Sequence, residues 1–291
     1  MRRIGTAALL ALVAGLAFAA GASAISPDVA KMNLQAADVP GAKVANERNV
    51  TVQGYTAAHF RSFLFSAPNK GAHLVGLESV VSIAPGPETA TKDVSDTEKF
   101  FRSSVSRKRF IAQTAQVANV KPKAITLGRP HRIAGYDQGF EVATSVGVKG
   151  GRIYENIVFV RLDRVFVQMI EEGTRPITIP VTTRYAGAIA RHITTELSPV
   201  DVSVPLVTGT AQQGQTLSAS AGTWTAPDAT FAYQWQDCDT AGANCVDVAG
   251  ATSATYAVTP ADVGKTVHVV VKATNRFGTS TVPSAPSAVV T

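Results

Sequence analysis

Phe231-Ala-Tyr-Gln-Trp-Gln-Asp-Cys238 and Thr266-Val-His-Val-Val-Val-Lys-Ala273 decide the fold of the C-terminal third of the sequence. Side chains along a strand point alternately to its two faces, so residues two positions apart share a face. In both runs the large apolar residues occupy every second position, which is typical of strands that bury one face. These residues are Phe231, Tyr233, Trp235, Val267, Val269 and Val271. The two runs therefore predict a β-sheet with a packed core.

Two further short runs, Thr216–Ser220 and Ala254–Val258, lie nearby between turn residues at short intervals. This spacing is the pattern of an all-β sandwich.

Cys238 and Cys245 are the two cysteines of the chain, and a turn-like segment separates them. We expect a disulfide that closes a hairpin between neighbouring strands. A zinc site is disfavoured because no second Cys or His pair lies near them.

Several spaced motifs of this region resemble the bacterial immunoglobulin-like repeats of secreted and surface proteins. They are Gly214-Gln-Thr-Leu, Gly222-Thr-Trp224, Tyr233-Gln-Trp-Gln-Asp-Cys238, Ala251-Thr-Ser-Ala-Thr-Tyr256, Asp262-Val-Gly-Lys-Thr266 and Ala273-Thr-Asn-Arg-Phe-Gly278. The resemblance implies an immunoglobulin-like sandwich that serves in display or adhesion and carries no catalytic residues. The family usually occurs in tandem arrays, whereas this sequence has one copy.

The N-terminal residues predict a cleavable signal peptide over residues 1–24. Met1-Arg-Arg3 supplies positive charge, Ile4–Ala20 is apolar, and Ala22-Ser-Ala24 is a small-residue cleavage site. A retained membrane helix is the alternative, and no basic flank that could stop transfer follows the run. No later segment is long and apolar enough to span a bilayer. We therefore expect a secreted or cell-surface protein with no transmembrane segment after cleavage.

The charge distribution divides the remaining chain in two. Residues 25–199 contain 22 Lys and Arg against 15 Asp and Glu, a balance of 22 − 15 = +7. Residues 200–291 contain 3 against 6, a balance of 3 − 6 = −3. The segment Glu196–Pro205 contains two prolines and has neither a helical nor a strand pattern, so the boundary falls there. We predict domains at 25–199 and 200–291.

The N-terminal domain alternates strands and helices, which predicts an α+β fold with an antiparallel sheet covered by two helices. One helix is predicted to start at a capping box of Ser95 and Glu98 and to bury Phe101, Val105, Ile111 and Ala115. The other is predicted after Pro180, with an apolar stripe at every fourth residue from Val181 to Leu197. The strands are predicted at Tyr55–Phe65, Leu74–Ala84, Gly139–Val148, Ile153–Leu162 and Val165–Ile170, the last three forming a meander.

This order of elements, together with Ala37-Asp-Val-Pro-Gly-Ala42, resembles the secreted PsbP/Mog1-like α/β family of actinobacteria. The lipoprotein cysteine that members of this family carry is missing here. The resemblance implies no functional residues at named positions of this chain.

No catalytic pattern stands out. The sequence has no Gly-x-Ser-x-Gly elbow, and its five histidines, at 59, 73, 131, 192 and 268, are far apart with no metal-ligand spacing. Glu171 and Glu172 are adjacent on a strand and should face opposite sides. Glu141 and Glu155 lie on neighbouring strands that could bring them close. We expect no enzyme activity and no cofactor; the alternative is a secreted enzyme in which Glu141, Glu155 and His131 form an unrecognised site.

The one concentrated charge is Arg107-Lys-Arg109, with Arg102 shortly before it. On one helix these residues could form a stripe that contacts an anionic envelope polymer or phospholipid surface. A solvated helix face is the alternative. Nucleic acid is disfavoured for an exported protein. The sequence thus predicts a secreted, cell-envelope-associated, non-catalytic binding protein, whose partner is an envelope polymer or a surface protein.

Overall fold

The computed structural model describes residues 28–68, 73–226 and 228–291 of the chain. The predicted signal peptide, residues 1–24, lies outside this range. The chain divides into two compact units, with the boundary between Glu196 and Leu197. Within the described residues, no helix is both long enough and apolar enough to cross a membrane.

The first unit is built on an eight-stranded antiparallel sheet with the order β1-β2-β3-β8-β7-β6-β4, in which β5 also pairs with β6. The strands are β1 Ala42–Asn49, β2 Ala57–Phe65, β3 Leu74–Ile83, β4 Ile125–Leu127, β5 His131–Arg132, β6 Gln138–Val148, β7 Gly151–Leu162 and β8 Val165–Gly173. The predicted meander of the last three strands is confirmed. The sequence missed β1 because its residues are mostly exposed and polar, which leaves no apolar alternation to detect.

Among the described residues, four α-helices accompany the sheet: the short α1 Val29–Met32, then α2 Pro87–Arg102, α3 Ser104–Ala118 and α4 Ile179–Leu197. The predicted capping box is wrong, because α2 begins two turns earlier, after Gly86. Ser95 and Glu98 lie inside α2, where Ser95 accepts a hydrogen bond from Gln138 and Glu98 pairs with Arg102. Their side chains are therefore not available to cap a helix.

The expected single helix is two helices, broken at Ser103. This residue has an extended backbone, and its hydroxyl accepts a hydrogen bond from the N–H of Ser106, so it caps α3. The break also explains why the predicted burial of Val105 is wrong: Val105 is 76% exposed. It lies in the first turn of a new helix and no longer follows the phase of Phe101.

One face of the sheet packs against α2 and α3 through a cluster of phenylalanines. Phe101 of α2 lies 5.4 Å from Phe110 of α3, between ring centroids, and 5.9 Å from Phe159 of β7. Phe140 and Phe159, on neighbouring strands, stack at 5.2 Å. Each such pair adds roughly 1 kcal/mol beyond the burial of its apolar area. We call this the aromatic face.

The opposite side of the sheet, which we call the α4 face, packs against the last long helix. Its predicted stripe is confirmed by the burial of Tyr185, Ile189, Ile193 and Leu197. The helix begins at Ile179, so Pro180 lies within its first turn, where a missing N–H costs nothing. Thr182 of the same turn is buried and bonds to the sheet.

The second unit has a four-stranded sheet, β14-β13-β16-β17, and a three-stranded sheet, β10-β11-β15, with the pair β12-β9 beside them. The strands are β9 Asp201–Ser203, β10 Leu206–Thr208, β11 Thr216–Ser220, β12 Thr223–Trp224, β13 Thr230–Cys238, β14 Val246–Asp247, β15 Thr255–Ala257, β16 Thr266–Asn275 and β17 Gly278–Pro283. Trp235 and the valines at 267, 269 and 271 are each 0% exposed and form its core with Leu217 and Tyr256. The alternating pattern thus predicted these core positions correctly, but it was wrong for Phe231, which is 40% exposed near the start of β13, and Tyr233 is only partly buried.

The disulfide prediction is confirmed, since Cys238 at the end of β13 is bonded to Cys245 just before β14. Taken together, the chain is an α+β protein with more residues in strands than in helices.

Candidate functional site

The four basic residues singled out from the sequence do not form a stripe on one helix. Arg102 ends α2, whereas Arg107, Lys108 and Arg109 belong to α3. Since the helix breaks at Ser103, the spacing that would align Arg102 with Arg109 is lost. Arg102 is instead held by Glu98, with Nη2 and Nε 2.6 and 3.0 Å from Oε1 of that carboxylate. This part of the prediction is corrected.

Arg107 has a structural role within the first unit. Its guanidinium donates hydrogen bonds to the carbonyl oxygens of Phe101, Leu127 and Gly128. These carbonyls belong to the end of α2 and to the β4 region, so Arg107 ties both to α3. A planar guanidinium spreads five N–H donors over a rigid fork, so it can reach carbonyl oxygens of both segments at once.

Lys108 and Arg109 are exposed, and they belong to a larger group that the sequence did not reveal. Residues 103–152 contain nine Lys and Arg but only two acidic residues, Asp137 and Glu141. Both acidic groups are engaged internally: Asp137 pairs with Arg161 at 3.2 Å, and Glu141 accepts a hydrogen bond from Asn156. The segment therefore keeps a large excess of positive charge.

The pairing of the strands gathers this charge along one side of the sheet. β4 and β5 both pair with the same side of β6, opposite to β7, so they lie along the edge of the sheet. Their loops, the β6–β7 hairpin and α3 carry eight exposed basic residues, which we call the basic edge. Its members are Lys108, Arg109, Lys121, Lys123, Arg129, Arg132, Lys149 and Arg152.

Among the described residues, Arg152 is the one member of the basic edge whose side chain forms a hydrogen bond within the protein. Its Nη1 donates to Ser145 Oγ at 2.8 Å and to Thr126 Oγ1 at 3.4 Å, across β6 and β4. Within the described range no member forms an ion pair. An edge with eight exposed cations, none of them in an ion pair within the described residues, attracts anions from solution over a distance set by the salt concentration.

The carboxylates that the sequence placed on neighbouring strands are not together. Glu141 lies opposite Val158, and Glu155 lies opposite Thr144. Along the paired strands, the two glutamates are therefore offset by an odd number of positions. Since side chains alternate between the two faces of a sheet, Glu141 and Glu155 point to opposite faces. Of the three residues in the enzyme alternative, the structure brings together only Glu141 and His131, whose Oε1 and Nδ1 lie 3.6 Å apart.

A chain of hydrogen bonds leads from Glu141 into the α4 face. Asn156 donates to Glu141 Oε2 at 3.2 Å and to Thr182 Oγ1 at 3.0 Å, and Thr182 donates to Glu171 Oε2 at 2.6 Å. Glu171 is 0% exposed, and burial raises the pKa of its carboxyl to about 8. Burial also raises the pKa of Glu141. Glu171 therefore carries a proton at neutral pH and lies too deep to reach a substrate.

Glu155 lies on the aromatic face, where Glu172 is its direct cross-strand partner. Burial, and secondarily the carboxylates of Glu172 and Glu78, raise the pKa of Glu155 to about 8. The expectation that Glu171 and Glu172 face opposite sides is met, because the first bonds to Thr182 of α4 and the second lies beside Glu155.

The other histidines have separate surroundings. His59 is buried beside Asn33, with 3.2 Å between Nδ1 and Nδ2, and burial lowers its pKa. His192 pairs with Asp38 at 2.8 Å, and His268 bonds to Gln236 at 2.6 Å. In the described part of the chain, one cluster brings potential metal ligands close together: His268, Cys238 and Cys245. Both sulfur atoms of this cluster are bonded to each other in the disulfide, so they are not free to bind a metal.

Comparisons with known proteins show a distant likeness to a solved structure. No family model matches the chain, and no curated protein matches it. A solved structure, the extracellular domain of PknH from Mycobacterium tuberculosis, aligns with 60% of this chain and 98% of its own, at 13% sequence identity and a TM-score of 0.37. At that score the likeness supports no argument about this chain.

Proposed function

We propose that this chain is a secreted, cell-envelope-associated, non-catalytic binding protein whose first unit binds an anionic envelope polymer through the basic edge. The observation that carries the proposal is the set of eight exposed cations on one edge of the sheet, none of which forms an ion pair within the described residues. In this proposal the second unit is an immunoglobulin-like module that displays the first. The motif resemblance of residues 204–291 supports that role.

The proposed ligand is an extended polyanion because the charges are spread over four chain segments and are not focused in a cavity. A small anion would contact one or two of these side chains, whereas a polymer can contact most of them at once. The attraction is long-ranged and is screened over about 10 Å at about 0.1 M salt. Arg107, although basic, is not part of the binding surface, because its guanidinium is used by backbone carbonyls.

The test is binding of the full chain from Ile25 to Thr291 to alginate, a polyuronate, with neutral dextran as the reference polymer. We expect binding to alginate at low salt, loss of that binding at high salt and no binding to dextran. The double variant Lys121→Gln and Lys123→Gln should bind about fivefold more weakly. The matched control is Lys31→Gln with Lys43→Gln, which removes two exposed charges outside the basic edge.

Equal weakening by the control pair would mean that only net charge matters, and the basic edge would then have no special role. Binding to dextran, or binding that high salt leaves intact, would remove the proposed electrostatic mechanism.

A second candidate is the secreted enzyme, which the 3.6 Å approach of His131 to Glu141 favours. His131 is 60% exposed along its side chain, so it can meet a substrate, and Glu141 can orient it. Screening the full chain against esters, peptides and polysaccharides tests this reading. Hydrolysis that Glu141→Gln abolishes would establish the enzyme, and hydrolysis unchanged by His131→Ala would exclude this pair as its centre.

A further inference from the structure

Strand pairing in the second unit brings a histidine to the disulfide. In the register of β13 and β16, His268 lies opposite Gln236 and Thr266 lies opposite Cys238, so His268 and Cys238 share one face of the sheet. A ring nitrogen of His268 and the sulfur atoms of Cys238 and Cys245 all lie within 4.8 Å of one another. The sequence showed no Cys or His pair near the cysteines, whereas the fold supplies a single imidazole.

The hydrogen bonds of Gln236 fix the tautomer of this histidine. Gln236 Nε2 donates to Asp247 Oδ1 at 2.6 Å, which leaves Oε1 of the same amide to face His268 Nε2, also at 2.6 Å. An amide oxygen only accepts, so Nε2 of His268 carries the ring proton and Nδ1 keeps the lone pair. Burial lowers the pKa of His268, which keeps the ring neutral at neutral pH. Histidines that bind metals are oriented by such an acceptor on their second nitrogen.

The turn between the cysteines is held by hydrogen bonds that do not depend on the S–S bond. The carboxylate of Asp239 accepts from the N–H groups of Ala241 and Ala243, both at 2.9 Å, and from the side chain of Asn244 at 2.8 Å. The N–H of Asp239 donates to the carbonyl of Ala243 at 2.8 Å. The two sulfur atoms therefore stay close to each other when the bond between them is broken.

The cluster is sheltered but can be reached from solvent. Cys238 is 2% exposed and His268 9%, whereas Cys245 is only partly buried. Cys238 also borders a surface groove of 830 Å³, which gives an ion a path inward. Two thiolates and one imidazole are ligands that Zn²⁺ prefers, and a water molecule can complete its tetrahedron.

We propose that reduction of the disulfide converts this cluster into a Zn²⁺ site with Cys238, Cys245 and His268 as its protein ligands. The reductant is a small-molecule thiol, whose thiolate attacks Sγ of the partly exposed Cys245. Two thiol molecules supply two electrons and two protons and become a disulfide, while the S–S bond of the protein breaks into two thiols. Zn²⁺ then replaces both thiol protons, which are released to solvent. This site is independent of the basic edge.

The test uses the full chain from Ile25 to Thr291, oxidised or reduced with a phosphine that leaves no thiol to compete for metal. Co²⁺ is the spectroscopic probe, because cobalt bound by thiolates gives a sulfur-to-metal charge-transfer band. We expect this band in the reduced chain alone, at one Co²⁺ per chain, and its loss when Zn²⁺ displaces the cobalt. Mercaptoethanol should open the disulfide of the folded chain, which alkylation and mass spectrometry detect.

His268→Ala should weaken Zn²⁺ binding about a hundredfold, and Gln236→Ala, which frees the ring, about tenfold. The matched control is His131→Ala, which removes an exposed histidine from the first unit and should leave binding unchanged. Tryptophan fluorescence shows whether the reduced second unit is folded, since both tryptophans lie in it. Zn²⁺ should also raise the urea concentration at which the reduced unit unfolds, because it binds the folded cluster.

The proposal is overturned if the reduced chain gives no charge-transfer band, or if the oxidised chain binds Zn²⁺ equally well. Undiminished binding by His268→Ala, or binding that does not stabilise the reduced unit, would show that the cysteines bind metal without the folded cluster. Resistance of the folded chain to mercaptoethanol would remove the proposed reduction. None of these results bears on alginate binding, so the two proposals fail separately.

Discussion

Thr182 Oγ1 donates a 2.6 Å hydrogen bond to Oε2 of Glu171, a carboxyl group that is 0% exposed. This bond connects the first turn of α4 to β8, and Asn156 completes it by donating to the same hydroxyl. The hydrogen bond from Thr182 stabilises the ionised carboxylate and so acts to lower its pKa. Burial has the larger effect and raises the pKa of Glu171 to about 8. The first unit therefore contains a buried acid that is protonated at neutral pH.

Glu171 should make the stability of the first unit fall as the pH rises. Its folded pKa of about 8 lies above the unfolded value of 4.5, so the folded state holds a proton that the unfolded state releases. The stabilisation is complete below pH 4.5 and is lost as pH rises towards 8, by a few kcal/mol in total.

The measurement is urea unfolding at several pH values, followed by the helical circular dichroism signal, since the long helices lie in residues 87–197. Glu171→Gln should reduce the slope, because a neutral amide cannot ionise, and the slope that remains is expected from Glu155, whose pKa burial also raises to about 8. The control Glu98→Gln, at an exposed ion pair, should keep the slope of the original chain. An unchanged slope in Glu171→Gln would contradict the assignment.

The Cys238–Cys245 disulfide should stabilise the second unit by about 2–3 kcal/mol, the value for a short closed loop. Replacing both cysteines by serine tests this. Both tryptophans, Trp224 and Trp235, lie in the second unit, so their fluorescence follows its unfolding alone. If the double variant unfolds at the same urea concentration as the original chain, the bridge is not stabilising.

Ser103→Ala should destabilise the first unit by about 1 kcal/mol, because its hydroxyl caps α3. Thermal unfolding by circular dichroism measures the change. Ser104→Ala is the matched control, an exposed neighbour in the first turn with no recorded hydrogen bond from its side chain, and it should change little. A loss of similar size in both variants would show that the cap is unimportant.

Arg107→Gln and Lys108→Gln should affect different properties of the protein, although the two residues are adjacent. The first should lower stability, and the second should weaken binding. Removing Arg107 leaves three carbonyls without their donor, so we expect a loss of about 2 kcal/mol in stability. Lys108→Gln should leave stability unchanged and weaken alginate binding. Unfolding curves and binding curves for the same two proteins check both statements, and a stable Arg107→Gln would refute the structural role of Arg107.

Local sequence patterns were sufficient for much of the fold. The strand alternation identified Trp235 and Val269 as core positions, and the four-residue spacing of Tyr185 and Ile189 identified the buried side of α4. The disulfide could also be predicted, because two cysteines so close in sequence can form a bridge only across a single turn. Each of these inferences depends on residues within a few positions of one another.

The position of the helix break was harder to predict from the sequence. Ser95 with Glu98 and Ser103 with Ser106 both resemble helix starts, and only the second position is one. Packing decided between them, because α2 and α3 must both place phenylalanines, Phe101 and Phe110, against the same sheet. A capping motif cannot report that requirement.

The basic edge and the separation of Glu141 from Glu155 were decided by tertiary structure. Strand register sets which face a glutamate occupies, and a shift of one position reverses it. The edge exists because β4 and β5 return to the same side of β6, which gathers Lys121, Arg132 and Arg152 from distant segments. The sequence by itself therefore determined most of the long strands, the last helix, most core positions and the disulfide, whose physics is local. Long-range strand pairing decided which charges lie along the same edge of the sheet.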